Sequence, residues 1–250
     1  MQAILVGQGS MGSRHLSRLS ALGVLFVATL DSEEEVDRFL PSLEGVSTLN
    51  TFVLIASPAS THATYAALFL EKGFSVFVEK PLATSAIDAR NLQALRRPEQ
   101  VLFVGHSERY SSEFRLFHDT FLKKKPQIES VRFTRHNQPS LRGRDVNVAL
   151  DILVHDLDCF FSLLSKEQNR LPFQILKSHL STDGNQATLK LQQPLKNRDP
   201  LIVEFEVERN AASTERKLEL FDFQNNPIGF YSFLAPQNNG KDALFYEYEA

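Results

Sequence analysis

The first twelve residues constrain the fold more than any other stretch. A short apolar run, residues 3–6, leads directly into Gly7-Gln8-Gly9-Ser10-Met11-Gly12. A helical pattern opens on that turn, with Leu16, Leu19 and Leu22 at helical spacing over residues 11–22. A G-x-G-x-x-G turn by itself is a weak sign, but between a strand and a helix it acquires a physical meaning. Gly7 permits the tight turn, Gly9 lets a pyrophosphate approach the backbone, and Gly12 lets helix and strand pack closely. The helix N-terminus at Ser10 and Met11 then offers N–H donors and partial positive charge to an anion. A glycine-rich turn without a ligand is the other reading of the same residues.

The rhythm that follows supports a doubly wound α/β domain. Strands are expected at residues 24–30, 52–56, 74–78 and 101–105, with helices at 33–40, 60–72 and 85–97. Ser60 reads as an N-cap and Gly73 as the residue closing the same helix. The run at 52–56 is wholly apolar, as a strand buried on both faces should be. After about Arg109 the alternation ends. Helices are expected at 112–123 and 148–164, and strands at 129–135, 173–179, 187–191, 201–207, 217–223 and 228–233. Consecutive strands without helices between them imply a mostly antiparallel or mixed sheet. The expected division is a nucleotide-binding Rossmann domain over 1–108 and an α+β domain over 109–250, with the boundary near residues 106–112.

Composition removes several functions. The net charge of −3 argues against a nucleic-acid partner, which requires clustered positive charge. The basic run Lys123-Lys124-Lys125 reads as a solvated helix end. A single cysteine, Cys159, has no partner for an internal disulfide and lies in an apolar run, which fits a buried inert thiol. No stretch reaches the ~18 apolar residues of a membrane span, so no membrane partner is expected. The opening MQAILVGQGS lacks the basic segment and cleavage site of a signal peptide, and the cytoplasm is the expected compartment.

Three further groups carry chemistry. Asp31 ends the second expected strand, a little beyond the usual ~20-residue spacing for a carboxylate that binds the adenosine ribose. Such a group selects NAD over NADP, and Glu33, Glu34 and Glu35 add negative charge; the alternative is that Asp31 caps the next helix. Glu79-Lys80-Pro81 follows the fourth strand, where open α/β sheets bind ligands; the alternative is a surface lysine beside a turn proline. Asp151 and His155 are four apart and share one helical face. A carboxylate beside an imidazole orients it and raises its basicity, as a general base requires. A helix salt bridge remains open, and a metal site is not expected because no Cys–His cluster supplies further ligands.

Taken together these residues resemble the Gfo/Idh/MocA oxidoreductases. The resemblance runs over nearly the whole chain and is carried by GQGSMGSRH at 7–15, ASPASTHATYAALFLEKGFSVFVEKP at 56–81, GHSERY at 105–110 and ALDILVHDLD at 149–158. It implies NAD as cofactor, Lys80 as the lysine bridging substrate and nicotinamide, His155 as the base and Asp151 as its partner. It places Ser57, Pro58 and His62 along the cofactor and Glu79 near the nicotinamide. It also implies a homo-oligomer. The chain departs from the family at Leu153, where a glycine is usual. It also ends at Ala250, just as residues 243–249 start an expected helix, where family members continue with further helical sequence.

The expected reaction is oxidation of a secondary hydroxyl on a sugar-like substrate. GHSERY and RGRDVNVALDILVHDLD resemble the family's nucleotide-sugar 3-dehydrogenases, which implies a UDP-N-acetylhexosamine. Arg109, Tyr110, Arg142 and Arg144 are the expected substrate contacts beside Lys80 and His155, since paired guanidinium groups suit a diphosphate. The alternatives are a free sugar or inositol as substrate, and a sensor that binds the dinucleotide without turnover.

Overall fold

In the computed structural model, which describes residues 1–112, 114–115, 117–119, 128–140, 145–164, 171–195, 198–232 and 245–246, the chain divides into two units, Met1–His106 and Ser107–Ala250. Unit one alternates strand and helix: β1 Gln2–Val6, α1 Ser10–Ala21, β2 Leu25–Leu30, α2 Glu33–Phe39, β3 Thr51–Ile55, α3 His62–Glu71, β4 Ser75–Val78, α4 Ala86–Leu95 and β5 Leu102–Val104. The five strands are parallel in the order β2-β1-β3-β4-β5. The order reverses between β1 and its neighbours, which makes the carboxyl ends of β1 and β3 the switch point where such sheets bind ligands. The core is what the apolar strands dictate: Ile4, Val6, Val53, Ile55, Val76 and Val78 are buried against Phe69 and Phe74.

Helix ends follow local chemistry. Ser32 and Ser85 cap α2 and α4, accepting from the N–H groups of Glu35 and Asp88. The expected cap at Ser60 does not form. A 3-10 turn, Ala59–Thr61, precedes α3, and the Pro58 carbonyl accepts both the Thr61 N–H (2.9 Å) and the Thr61 hydroxyl (2.8 Å), so the α-helix starts at His62. Gly73 closes α3 as expected, with φ +92° and paired bonds from Gly73 N–H to Leu70 and from Phe74 N–H to Phe69.

Unit two is built on β6 Ser130–Asn137, β7 Gln174–Leu180, β8 Gln186–Leu195, β9 Arg198–Arg209, β10 Glu215–Phe221, β11 Pro227–Ser232 and β12 Phe245–Tyr246. Among the described residues they form a seven-stranded sheet, β12-β11-β10-β6-β9-β8-β7, antiparallel except for the central pair β6 and β9. The mixed sheet agrees with the expected fold class. Of the helix expected over 112–123, the described residues Ser112, Phe114, Arg115, Phe117, His118 and Asp119 are helical; Lys123, Lys124 and Lys125 lie outside the described residues.

Two expected elements are corrected. The helix at 148–164 is not one α-helix: a π-turn, Ala149–Leu153, precedes α5, Val154–Ser162. Asn147 Oδ1 takes the N–H groups of Ala149 and Leu150 at 3.1 Å, and Val148 N–H goes to the Gly184 carbonyl at 2.8 Å, so side chain and loop hold the first turn in a wider form. The helix expected at 243–249 is replaced, at Phe245–Tyr246, by a strand on the edge of β11. An open sheet edge offers backbone partners, and aromatic residue types favour strands.

One face of the sheet packs on α5. Phe133 and Phe205 stack at 4.9 Å between centroids, and Phe160 meets Phe205 edge-on at 6.1 Å. Burying a side chain such as Phe160 contributes about 1.5–3 kcal/mol. Cys159 lies in this core, where burial pushes its thiol pKa above the ordinary value, consistent with an inert thiol. The other face carries charge: Glu204 pairs with Arg132 (3.2 Å) and Lys190 (2.8 Å), and Lys217 with Glu215 (3.0 Å) and Glu219 (3.4 Å).

Candidate active site

In unit one the glycine turn sits at the switch point. Gly7 has φ +95°, and a Cβ there would lie 2.6 Å from the Ala56 carbonyl oxygen at the end of β3. A Cβ on Gly12 would lie 2.9 Å from the Gly7 carbonyl carbon, so α1 touches the turn that starts it. Gly9 is the N-cap of α1, makes no side-chain cap bond, and has open space where a Cβ would be. A close-packed turn with bare N–H groups and clear space above Gly9 fits a dinucleotide pyrophosphate. Ser10 and Met11 are exposed at the start of α1.

Asp31 faces this turn. Its Oδ1 accepts the Gln8 N–H at 2.6 Å, while its own N–H goes to Glu35 Oε2 at 2.7 Å. Ser32 caps α2, which removes capping as the role of Asp31. Ser57 and Pro58 follow β3, where the Ser57 hydroxyl pairs with that of Thr61 at 2.7 Å. His62 is buried, with Nδ1 2.7 Å from the Pro81 carbonyl and Nε2 2.8 Å from the Ser57 carbonyl. The ring thereby joins the turns that follow β3 and β4. Carbonyls only accept, so a neutral ring satisfies one of them and an imidazolium both. Glu79 is buried and held by His15 Nε2 at 2.6 Å, and His15 sits edge-on to Phe77. Lys80 is half-buried, and its bond to Pro81 is cis.

In unit two, Asp151 lies in the π-turn and His155 on the first turn of α5, both half-buried. Asp151 Oδ2 accepts from Arg209 Nη2 at 3.1 Å. The next carboxylates along the helix have other partners. Asp156 is buried and receives Arg135 Nε at 2.9 Å and Nη2 at 2.5 Å. Arg135 also reaches Glu108 at 2.7 and 2.6 Å. Burial raises Asp156 to about 6 against the pull of Arg135. Burial also works to raise Glu108, but the hydrogen bonds and charge of Arg135 outweigh it and hold Glu108 below the ordinary range. Burial opposes the Arg135 charge, yet Asp156 and Glu108 outweigh it and push its pKa up.

The expected substrate residues fare differently. Arg109 gives Nε and Nη2 to Asp158, so much of its fork is committed within unit two. Tyr110 is 49% exposed. Arg142 and Arg144 lie outside the described residues. Sequence reasoning assigned no role to His15, Arg135 or Arg209. His15 stands in the GQGSMGSRH run, but nothing there names a carboxylate 64 residues away.

Residues 1–106 match the Gfo/Idh/MocA family, an oxidoreductase family with an NAD-binding Rossmann fold. A UDP-N-acetylglucosamine 3-dehydrogenase of Acidithiobacillus ferrooxidans is 25% identical over 176 residues, covering 67% of this chain and 55% of that protein. An inositol 2-dehydrogenase of Klebsiella pneumoniae is 26% identical over 234 residues, covering 82% of this chain and 63% of that protein. The chain thus spans little more than half the length of several curated relatives it matches. Among solved structures, the WlbA dehydrogenase of Bordetella pertussis, in complex with NADH and UDP-GlcNAcA, superposes with a TM-score of 0.73 at 15% identity, covering 92% of this chain and 78% of that one. The myo-inositol dehydrogenase of Lactobacillus casei, in complex with NAD(H) and myo-inositol, gives 0.66 at 20% identity, covering 98% and 79%. At these identities the likeness establishes the fold.

Glycine turn, switch point and matched family agree on the class: unit one has an NAD-binding Rossmann fold. More particularly, the family that residues 1–106 match is that of the Gfo/Idh/MocA oxidoreductases.

Proposed function

We propose that the chain is an NAD-dependent dehydrogenase acting on a secondary hydroxyl of a sugar-like polyol. The observation that carries this reading is the half-buried carboxylate of Asp151, held by Arg209 on a π-turn four residues ahead of His155. π-turns inside helices are frequent at functional sites, and an imidazole with a fixed carboxylate on its own helix suits proton abstraction from a hydroxyl. His155 takes the hydroxyl proton on a ring nitrogen, and Lys80 Nζ donates to the oxygen as negative charge develops there. Gly9 at the start of α1 would take the cofactor's pyrophosphate, with Gly7 and Gly12 shaping the turn beneath it, and Asp31 would take its ribose. When bound, NAD supplies the hydride acceptor.

The finer reading is a nucleotide sugar oxidised at its 3-hydroxyl, supported by the relative from Acidithiobacillus ferrooxidans. Two observations favour a second reading, a free polyol such as an inositol. Arg109, an expected substrate contact, is already engaged by Asp158, and the inositol dehydrogenase relative spans more of the chain. The test is NADH formation with UDP-N-acetylglucosamine, glucose and myo-inositol. Turnover with one of them supports the class, and the order of kcat/KM decides between the readings. Lys80→Ala and His155→Ala should each lower turnover by about 10²-fold or more while NAD still binds. A loss below about tenfold in either variant removes that residue from its role in proton transfer or charge stabilisation.

A further inference from the structure

Arg209 ends the central strand β9 and is 7% exposed. Its Nη2 donates to Asp151 Oδ2 and to the Val146 carbonyl, both at 3.1 Å. The surrounding backbone is tied as well. Arg209 N–H goes to the Asn185 carbonyl at 2.8 Å, and Val148 N–H to the Gly184 carbonyl at 2.8 Å. The β7–β8 turn, the end of β9 and the start of the π-turn therefore form one frame. A cavity of about 650 Å³ opens on it, with Asn147, Asp183, Asn185 and Arg209 in its wall. Arg209 thus links a polar cavity to the acid that precedes His155.

We propose that Arg209 is a positioning residue for Asp151: it fixes the direction of the carboxylate on the π-turn and, as a permanent cation, limits how much negative charge that carboxylate passes to His155. This rests on the reading of Asp151 and His155 as partner and base. Two physical points support it. A guanidinium does not lose its proton in proteins, so the charge on Asp151 is balanced at every working pH. A half-buried carboxylate without that partner would be less well compensated and would swing toward another donor or water. Of the other charged groups, Glu108 interacts with His155, and it is held in turn by Arg135 with Asp156 and Arg216 nearby.

The test follows the His155 ring by NMR titration in the full chain, with kcat and KM measured alongside. Arg209→Met should raise the His155 midpoint by about one pH unit, the scale expected when a close charge is uncovered. Arg209→Lys should keep it within about 0.3 unit, because the charge is retained. In an Asp151→Asn background, Arg209→Met should leave the midpoint unmoved, since the effect runs through the carboxylate. kcat should fall by about tenfold in Arg209→Met with KM for NAD unchanged. If Arg209→Met does not fold, Arg209→Gln keeps a donor without the charge and takes its place. An unmoved midpoint in the single variant, or the same shift in both backgrounds, overturns the proposal. A midpoint that moves as stated in a chain that oxidises no polyol retains it and removes the dehydrogenase reading instead.

Discussion

Replacing Arg135 by leucine strips the counter-charge from two carboxylates at once. The Arg135 side chain is 3% exposed and that of Asp156 1%, so water cannot take over what the guanidinium provides. Breaking a buried pair by removing one partner costs about 3–5 kcal/mol. At about 2–4 °C per kcal/mol for a chain of this length, the transition to which unit two contributes should fall by about 6–20 °C, read by calorimetry or circular dichroism at pH 7. The pH dependence gives a sharper check. Burial already raises folded Asp156 to about 6, above its unfolded value, so the folded state gains stability as pH falls from 7 to 5. Without Arg135, which lowers that pKa, Asp156 rises further and the variant gains more. The deficit should therefore narrow by about 1 kcal/mol at pH 5, at about 1.4 kcal/mol per pH unit. Glu108 does not interfere in the wild type: its folded pKa is depressed, so its contribution is lost only at lower pH. A deficit under about 1 kcal/mol at pH 7, or one that widens at pH 5, would refute the argument. Arg135→Leu combined with Asp156→Leu should recover part of the loss, because no orphaned charge remains at Asp156.

Two predictions concern unit one. Asp31→Ser should raise kcat/KM with NADP relative to NAD, since it removes the carboxylate that would meet a 2′-phosphate; equal use of both cofactors by the unchanged chain would end that assignment. Gly12→Ala should weaken NAD binding by about tenfold or more in calorimetric titration, because the new Cβ meets the Gly7 carbonyl and pushes α1 off the turn; unchanged affinity would show that the contact between α1 and the turn does not set binding.

What was legible in the sequence was local. The glycine turn could be read because its three roles lie within six residues, and Gly73 because a closing glycine follows its helix directly. The π-turn left no mark: Ala149–Leu153 has ordinary helix formers, and its cause lies in Asn147 and in a carbonyl from the β7–β8 turn. Ser60 was misread because Pro58 supplies the acceptor that a cap would have provided. Asp151 was legible as half of an i,i+4 pair, but its partner Arg209 stands 58 residues away on another element. Arg135 shares inward parity with Val131 and Phe133 in β6, so period-2 alternation does place it inside. Nothing near it identifies Asp156 and Glu108 as the acids that make such a position tolerable.

That inward arginine also matters before the fold exists. β6 ends at Asn137, while its first strand neighbour in chain order, β9, begins at Arg198. At about 5–20 residues per second, those roughly sixty residues leave β6 without its partner for about 3–12 s on the ribosome. A strand with Val131 and Phe133 along one side is a template for other unfinished chains. A charge on that same side, at Arg135, makes wrong pairing costly until Asp156, made in the interval, is in place to receive it. Arg135→Leu therefore carries two liabilities, and the second shows as aggregation during refolding rather than as a lowered Tm.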